Sequence, residues 1–481
     1  MKEIQAKQGH PGGLYLLFFT EMWERFSYYG MRAILILFLT KKFIEGGLAM
    51  DPATATLLYG NFTGLVYATP LIGGWLADKY IGKRNAITIG GILMMLGQFA
   101  LFSIDATNQS FLGMDASFGL YTGLFLLIIG NGFFKPNIST LVGGLYKDGD
   151  GRKDSAFTIF YMGINLGALI APLVIGLLTD NIFATKGENG EIVSYGYRYG
   201  FLAAGIGMLL GQILFNTFAQ KYLGDLGKRP VDSSILDVEE ETVTDHGVKP
   251  EHVEKATPVN EITPKQSRDR VSVIFILFLF AIFFWAGFEQ AGSSLSLYTD
   301  NYIDRTIFGW EIPTSFFQSV NPLFIIILAP LFAIFWSSPL GKKLTTPVKM
   351  GLGMIILGIG FFFMLGAVAE RGGDVADTAI KANIMWLVMT YLLHTIGELC
   401  ISPVGLSVVT KLSPPKLASL LMAVWLLSSA IANKLGGELA SVVEKLGAGT
   451  IFLYISIFVI CCGLLLIALN KKILSMMHGL R

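Results

Sequence analysis

The chain has 481 residues, of which 53% are hydrophobic and 15% charged, and its formal net charge at pH 7 is +1. Its mean hydropathy is +0.59. Soluble domains carry about 25% charged residues, so this composition excludes a soluble enzyme, a disordered protein and a secreted disulfide scaffold. The near-neutral net charge argues against nucleic acid as a partner. The three cysteines lie in apolar stretches without metal-ligand spacing, which indicates packing: Cys400, Cys461 and Cys462.

Apolar runs bounded by glycines, prolines and charges predict an all-α integral membrane protein with twelve transmembrane helices, because a bilayer core about 30 Å thick needs roughly 20 residues per helix. The predicted spans are 14–40, 54–79, 86–105, 117–145, 154–179, 199–221, 271–298, 316–338, 347–368, 383–410, 416–443 and 449–470. They form a six-helix bundle over 1–222, a cytoplasmic linker over 223–270 and a second six-helix bundle over 271–481. The linker contains the polar string EEETVTDHGVKPEHVEK and four prolines, so we expect it to be solvated and not a folded domain.

Charges outside the spans predict the orientation in the membrane. With both termini in the cytoplasm, the cytoplasmic side holds 24 lysines and arginines and the opposite side holds 8, as the positive-inside rule requires. The first apolar run is too long and too charged for a cleavable signal, so we interpret it as the first helix. The loops DKYIGKRNAITIGG and SSPLGKKLTTPVKMGLG are weakly similar, since each places a glycine and two cations before a glycine-rich helix. Such internal similarity is typical of transporters built from two related halves.

The first span carries its charged residues on one face. At about 100° per residue, the string EMWERFSYYGMR places four ionisable groups and a tyrosine on a face about 100° wide: Glu21, Glu24, Arg25, Tyr28 and Arg32. Charges at membrane depth cost at least a few kcal/mol each, so this cluster needs partners or a water-filled cavity. An ion-pair latch between helices needs only two opposed charges, and this face has four, so we favour a cavity.

Three later spans also contain ionisable residues. Lys135, mid-span in NGFFKPNIST, suits a partner carboxylate from the protein or from a ligand. Glu289 shares a face with Trp285 and is a candidate proton site, with a fixed structural ion pair as the alternative. Glu398 in LLHTIGELCISPVG can meet Lys135 across the two halves or a ligand ammonium, whereas we interpret His394, one turn away, as a packing residue.

Uncharged polar groups and aromatic rings complete the candidate site. Trp425 and Ser429 share a face of the eleventh span. Asn165 and Asn321 are mid-span amides that either cap a helix break or bind a polar group of a ligand, and their chemistry favours neither. Three tyrosines add hydroxyl groups beside an apolar ring, which suits a pocket that accepts varied side chains: Tyr28, Tyr29 and Tyr67.

The balance of deep charges indicates the kind of ligand. Three cations face four acids: Arg25, Arg32 and Lys135 against Glu21, Glu24, Glu289 and Glu398. One bound proton would neutralise this set, and a zwitterion would add no net charge, so we hypothesise proton-coupled uptake of a zwitterion. The chain has no phosphate loop, no nucleophile with its base and no metal-site pattern, so we expect no enzymatic activity, no metal and no cofactor, with the proton as coupling ion.

Several motifs resemble those of a known family. The string E-x-x-E-R-F from Glu21 to Phe26, GGWLADKYIGKR ending at Arg84, and FTIFYMGINLGALIAP ending at Pro172 are similar to signatures of the proton-dependent oligopeptide transporter family (POT, also PTR) of the major facilitator superfamily. The strings FFWAGFEQ and GELCISPVG also match. The resemblance extends from about residue 14 to residue 470.

The resemblance implies a symporter of di- and tripeptides with a major facilitator fold. The compact chain without a large extracellular domain suggests a bacterial inner membrane, and we expect a functional monomer. The resemblance also implies that Arg32 and Lys135 hold the peptide carboxylate, and that Glu398 holds the ammonium with Asn165 and Asn321. Side-chain pockets would be lined by Tyr28, Tyr67, Trp285, Trp425 and Ser429. Coupling would involve Glu21, Glu24, Arg25 and Glu289. The pair Arg32–Glu289 would close the outer side and the pair Lys135–Glu398 the inner side.

Two departures from the family pattern affect these expectations. Many bacterial members have two extra helices between the bundles, but 223–270 is too polar for them. Mammalian members have a histidine in the second helix, which is absent here, so its proton role would fall to the acids.

Alternatives are a relative that transports nitrate or another small anion, against which Glu398 argues, and a peptide sensor that does not transport. A drug or sugar carrier would not need so much buried charge, and no span shows the filter of a channel.

Overall fold

The computed structural model describes residues 9–105, 107–147, 150–230, 263–414 and 417–479. The central part of the predicted linker, residues 231–262, lies outside the described residues. The solvated linker over 223–270 therefore stays a prediction.

The described residues contain twelve long helices, which we number α1 to α12. The first six are α1 (Gly12–Thr40), α2 (Pro52–Ala68, continued by Pro70–Leu76), α3 (Lys83–Phe102), α4 (Ala116–Gly144), α5 (Lys153–Leu177) and α6 (Tyr197–Leu223). The second six are α7 (Pro264–Phe288, continued by Ser294–Tyr302), α8 (Val320–Ser337), α9 (Thr346–Glu370), α10 (Ile384–Leu412), α11 (Ala418–Leu446) and α12 (Ala448–Ala468).

Short elements lie in the connections. Two further short helices are Pro339–Lys343 and Asn470–Met476. Six short strands, β1 (Thr185–Lys186), β2 (Ile192–Ser194), β3 (Ile303–Asp304), β4 (Thr306–Ile307), β5 (Trp310–Glu311) and β6 (Ala382–Asn383), pair as β1–β2, β3–β6 and β4–β5. All six lie at the end of the molecule that carries the α1–α2 and α7–α8 connections, which we call the outer end. The opposite end, where α6 ends and α7 begins, is the linker end.

Two predicted spans differ from the observed helices because of local chemistry. The span predicted over 54–79 is interrupted at Thr69, because Pro70 has no N–H to continue the hydrogen-bond ladder. The span predicted over 271–298 starts earlier, at Pro264, where Thr263 and Gln266 form a capping box. It is also interrupted by a 3₁₀ turn over Glu289–Gly292.

Ten of the described helices are long and apolar enough to cross a membrane, judged by length and composition. The two remaining long helices are α1, which carries four charged side chains, and α2, which is interrupted at Thr69. The charges of α1 do not face lipid, because Glu21, Glu24 and Arg25 are at most 4% exposed. Their burial inside the bundle is what allows a charged helix to lie among apolar ones.

The helices pack into two bundles with separate cores. One core contains buried side chains from α1 to α6, with Leu297 of α7 joining it, and the other contains side chains from α7 to α12 and Asn470–Met476. The bundles meet where α2 packs on α11 and α5 on α8. At the first contact a Cβ built on Gly60 would lie 2.6 Å from the Cα of Gly437, so the two backbones touch and both positions need glycine.

Candidate functional site

A cavity of about 160 Å³ lies between the two bundles. Six predicted site residues line it, three from each bundle: Tyr29, Arg32, Asn165, Glu289, Asn321 and Glu398. Tyr29 and Arg32 come from α1 and Asn165 from α5, while the second bundle contributes the α7 turn, α8 and α10. The wall carries one cation, two carboxylates and the side-chain amides of Asn165, Asn321 and Gln318, next to apolar side chains such as Ile164 and Phe288.

The predicted pair Arg32–Glu289 is formed on the wall of the cavity. The guanidinium of Arg32 on α1 makes an ion pair with the carboxylate of Glu289 in the α7 turn, and both side chains are 11% exposed. The Nε of Arg32 also donates to the Tyr59 hydroxyl over 2.7 Å. The Arg32–Glu289 pair joins the two bundles. Tyr59 was not expected, because no charge or motif marks it in the sequence.

A second ion pair joins the bundles nearer the outer end. The Nζ of Lys41, just past α1, lies 2.7 Å from a carboxylate oxygen of Asp300 in α7. Arg305 lies 3.6 Å from the same carboxylate, and the Thr314 hydroxyl donates to it over 2.8 Å. Burial lowers the pKa of Lys41, but the nearby Asp300 carboxylate outweighs this effect and raises the pKa above its ordinary value. Sequence analysis missed this pair.

Glu398 is held by its neighbours in the second bundle. The Nδ2 of Asn321 on α8 donates to Glu398 Oε2 over 2.8 Å and to Thr395 Oγ1 over 3.0 Å. Among the described residues, Glu398 makes no ion pair with Lys135, whose Nζ lies 4.0 Å from the centre of the Tyr67 ring. The predicted inner pair is therefore not formed in this arrangement, although both outer contacts are.

The charge cluster of α1 pairs within its own helix. Arg25 lies 2.7 Å from Glu21 Oε1 and 3.1 Å from Glu24 Oε2. Glu24 is linked to α4, because the Nδ2 of Asn131 donates to Glu24 Oε1 over 3.1 Å. All four residues are at most 4% exposed. The predicted shared face is confirmed, and its contact with α4 is through the Asn131 amide and not through an ion pair.

These features can be compared with known proteins. Residues 84–223 and 238–454 match the sequence profile of the POT family. The chain belongs to the POT family. The uncharacterized transporter YclF of Bacillus subtilis (strain 168) is 37% identical to it, over 98% of this chain and 96% of that protein. The peptide transporter YePEPT of Yersinia enterocolitica is 34% identical, over 98% and 96% of the two chains. A di-/tripeptide transporter of Lactococcus lactis subsp. cremoris is 32% identical, over 98% of each.

Solved POT structures share the fold. A crystal structure of the peptide transporter POT in complex with sulfate superposes with a TM-score of 0.82 at 33% identity, covering 99% of this chain and 97% of that one. A POT family transporter in complex with 5-aminolevulinic acid gives a TM-score of 0.81 at 30% identity, with 98% of both chains covered. The predicted major facilitator architecture, with twelve helices in two six-helix bundles, is confirmed. The chain is a multi-pass membrane transporter with bacterial relatives.

The other predicted POT site residues do not line the cavity as the described residues form it. They are Glu21, Glu24, Arg25, Tyr28, Tyr67, Lys135, Trp285, Trp425 and Ser429. Tyr28 is 2% exposed and packs edge-on against Tyr29. Trp285 packs edge-on against Phe288, which lines the cavity. Tyr28 and Trp285 thus lie directly behind the wall, and the roles of all nine residues stay predictions.

Residues that sequence analysis did not assign to the site also line the cavity. They are Tyr161, Ile164, Ala168, Phe288, Ala291, Gln318, Pro322, Ile325, Tyr391 and His394. Gln318 donates to the Ala291 carbonyl over 2.5 Å and to Ser296 Oγ over 2.9 Å, so it supports the turn that carries Glu289. His394 packs 4.7 Å from the Phe361 ring, as expected for a packing residue, but its side chain also belongs to the wall.

Proposed function

We propose that this POT family member is a proton-coupled symporter that imports di- and tripeptides by alternating access. The observation that carries the proposal is the separation of charge within one cavity: Arg32 belongs to the first bundle, and Glu398 with Asn321 belongs to the second. A peptide has a carboxylate at one end and an ammonium at the other, which suits such a cavity. The names of the YePEPT and Lactococcus lactis relatives support the same substrate class.

The two ends of the peptide bind opposite walls. Arg32 and Lys135 hold the carboxylate through charge-assisted hydrogen bonds, which are stronger and more directional than neutral ones. Glu398 holds the ammonium with Asn165 and Asn321. The pockets for the peptide side chains are formed by aromatic and hydroxyl groups near the wall: Tyr28, Tyr29, Tyr67, Trp285, Trp425 and Ser429.

Coupling follows from competition for Arg32. Glu289 and the peptide carboxylate both need the Arg32 guanidinium, and a proton on Glu289 removes one competitor. The acids of α1, Glu21 and Glu24, together with Arg25, which pairs with both, also take part in proton coupling. The pair Arg32–Glu289 closes the outer end and the pair Lys135–Glu398 closes the linker end, each in a different state.

The remaining properties complete the proposal. The protein works as a monomer in the inner membrane of a bacterium, with both termini and the 223–270 linker in the cytoplasm. The proton is its coupling ion, and it uses no metal or other cofactor. It binds no nucleic acid and catalyses no covalent reaction.

Uptake into proteoliposomes tests the function. Labelled dialanine is offered with and without an inwardly directed proton gradient, in competition with other dipeptides, free alanine and nitrate. We expect accumulation only with the gradient, blocked by dipeptides but not by alanine or nitrate. Competition by nitrate would indicate an anion transporter. Dialanine binding without gradient-dependent uptake would indicate a sensor or an uncoupled carrier.

A further inference from the structure

A polar cleft separates the start of α3 from the end of α6 at the linker end of the first bundle. Its volume is about 320 Å³. Its wall carries two cations, Arg84 and Lys228, together with the neutral polar side chains of Asn85, Thr88 and Asn216. No carboxylate belongs to the described wall. None of its wall residues lines the cavity between the bundles or has a role in the proposed transport function.

The arginine of this cleft is held in place by the other helix. The Nη1 of Arg84 donates to the Gly224 carbonyl over 2.7 Å and lies 3.4 Å from Gln220 Oε1. The Arg84 backbone N–H bonds the Gly227 carbonyl over 2.9 Å. These contacts hold the guanidinium on the cleft wall and, among the described residues, involve only Nη1, which leaves Nε and Nη2 for an anion.

Among the described residues, the second cation of the wall, Lys228, is held only by an exposed ion pair. Lys228 pairs with Asp225 over 2.8 Å, but the side chain of Asp225 is 92% exposed. Exposed ion pairs of this kind contribute little, so the ammonium exchanges readily to another anion. The start of α3, with Gly82 as an N-cap that offers no side-chain hydrogen bond, adds its positive helix dipole at the same place.

The neutral side chains of the cleft are bonded to one another. The Thr88 hydroxyl donates to Asn216 Oδ1 over 2.8 Å, and Asn216 Nδ2 donates to the Gln212 carbonyl over 2.8 Å. The floor therefore needs no ligand of its own. The groups that would attract a ligand are the two cations of the wall, Arg84 and Lys228.

An apolar surface continues from the cleft toward the membrane interior. On α3, Ile89 and Ile92 lie one and two turns beyond Asn85 on the same face, and they are 40% and 42% exposed. On α6, Ile213 and Leu209 precede Asn216 by one and two turns, and they are 54% and 36% exposed. A small free anion would not contact these side chains, whereas an acyl chain attached to the anion would.

We propose that this cleft binds the phosphate headgroup of an anionic phospholipid, with an acyl chain lying along the groove between α3 and α6. Basic pockets between transmembrane helices on the cytoplasmic side commonly bind such headgroups. In the proposed topology the linker end faces the cytoplasm, so the lipid comes from the inner leaflet. The lipid bridges the beginning of α3 and the end of α6, next to the point where the linker leaves the bundle.

Native mass spectrometry of the full-length protein in detergent tests this site. The probes are a phosphatidylglycerol, a phosphatidylcholine with the same acyl chains, and inorganic phosphate. We expect retention of phosphatidylglycerol over the other two. Since a cation near the membrane surface contributes about fivefold in affinity for anionic lipid, the double variant Arg84→Gln with Lys228→Gln should lose about thirtyfold.

Two further variants keep the test interpretable if loss of Arg84 prevents folding. Lys228→Gln alone should lose about fivefold. Asn85→Asp places a carboxylate on the wall, retains all contacts of Arg84 and should also weaken binding. The matched control is Lys221→Gln, because Lys221 is at the same end of α6 but lies over the Tyr222 ring, outside the cleft.

The outcomes separate the possible ligands. Equal loss in Lys221→Gln and Lys228→Gln would overturn the proposal in favour of a diffuse surface charge. Inorganic phosphate that displaces phosphatidylglycerol at equal concentration would show a free-anion site and not a lipid site. Equal retention of phosphatidylcholine would show that the negative charge of the lipid is not recognised.

Discussion

Replacing Lys41 by methionine should open the outer end while leaving the cavity intact. The Lys41–Asp300 contact joins the two bundles, and neither residue lines the cavity. Methionine keeps most of the length of the lysine side chain and removes its charge. Asp300 keeps Arg305 at 3.6 Å and the Thr314 hydroxyl at 2.8 Å, so it is not left as an unpaired buried charge.

The size of the effect follows from the burial of the pair. Exposed pairs contribute about 0–1 kcal/mol, and breaking a fully buried pair costs about 3–5 kcal/mol. The side chains of Lys41 and Asp300 are 19% and 7% exposed, and Asp300 retains two partners. An intermediate value of about 1–3 kcal/mol is therefore expected, which shifts the equilibrium between outer-closed and outer-open states roughly 5- to 150-fold. A population of about 1% outer-open protein would rise to between roughly 5% and 60%.

Distances between two spin labels measure this shift. Suitable sites are Ile44, 73% exposed in the first bundle, and Phe308, 105% exposed in the second. Cys461 is exposed and is replaced first. Lys42→Met is the matched control, because Lys42 is the neighbouring exposed lysine and makes no described ion pair with the second bundle. Identical distance distributions in the Lys41 and Lys42 variants would refute the reasoning.

The same experiment has an expected pH dependence. The pKa of Lys41 is raised by Asp300, so the lysine stays protonated well above neutral pH. The effect of Lys41→Met should therefore be equal at about pH 6 and about pH 8. A large difference between these two conditions would mean that this pair, and not the deeper acids, responds to protons.

Three further predictions concern the deep acids. Glu398→Gln should weaken dialanine binding by about 1.5–3 kcal/mol, roughly 10- to 150-fold in Kd, and should weaken binding of an N-blocked analogue much less. Equal losses for the two ligands, measured by calorimetry, would show that Glu398 does not bind the peptide ammonium. Glu24→Gln should permit peptide exchange but abolish uphill uptake, and accumulation against a gradient would contradict its coupling role. Asn131→Leu should reduce stability by about 1–3 kcal/mol and alter the pH profile of uptake, because Glu24 Oε1 loses its donor. Asn137→Leu is its control, since Asn137 bonds only the Phe133 carbonyl of its own helix among the described residues; equal pH profiles in the two variants would argue against a specific role of Asn131.

The parts of the site that could be predicted are those in which a charged side chain lies within a membrane-spanning segment. A carboxylate such as Glu289 cannot lie unpaired among apolar residues, so its presence in a span already requires a cation, and Arg32 supplies it. The shared face of Glu21, Glu24 and Arg25 follows from helix periodicity alone and appears in α1 as expected. Local sequence contains the whole argument for the shared face of α1, whereas for Glu289 it shows only that a partner is needed, and the resemblance to the POT family names Arg32.

The parts that could not be predicted depend on contacts between distant segments. Lys41 and Asp300 both lie at the ends of predicted spans, where a charged residue is ordinary, and only the packing of the bundles brings them together. Tyr59 and Asn131 are neutral, so nothing in the sequence separates them from other polar residues in helices. The interruption of α7 at Glu289–Gly292 contains no proline, and its support by Gln318 comes from a segment later in the chain.

The arrangement of contacts also explains how Arg32 can couple substrate binding to closure of the outer end. Tyr59 holds Arg32 by Nε, so the guanidinium is fixed in place while its terminal nitrogens remain for Glu289 or for another carboxylate. A peptide ammonium can join Glu398 without disturbing this pair, because Glu398 is held separately by Asn321. A peptide carboxylate cannot bind Arg32 without competing with Glu289. Under the proposed function, the ammonium therefore anchors the peptide first, and capture of its carboxylate acts directly on the contact that holds the outer ends of the bundles together.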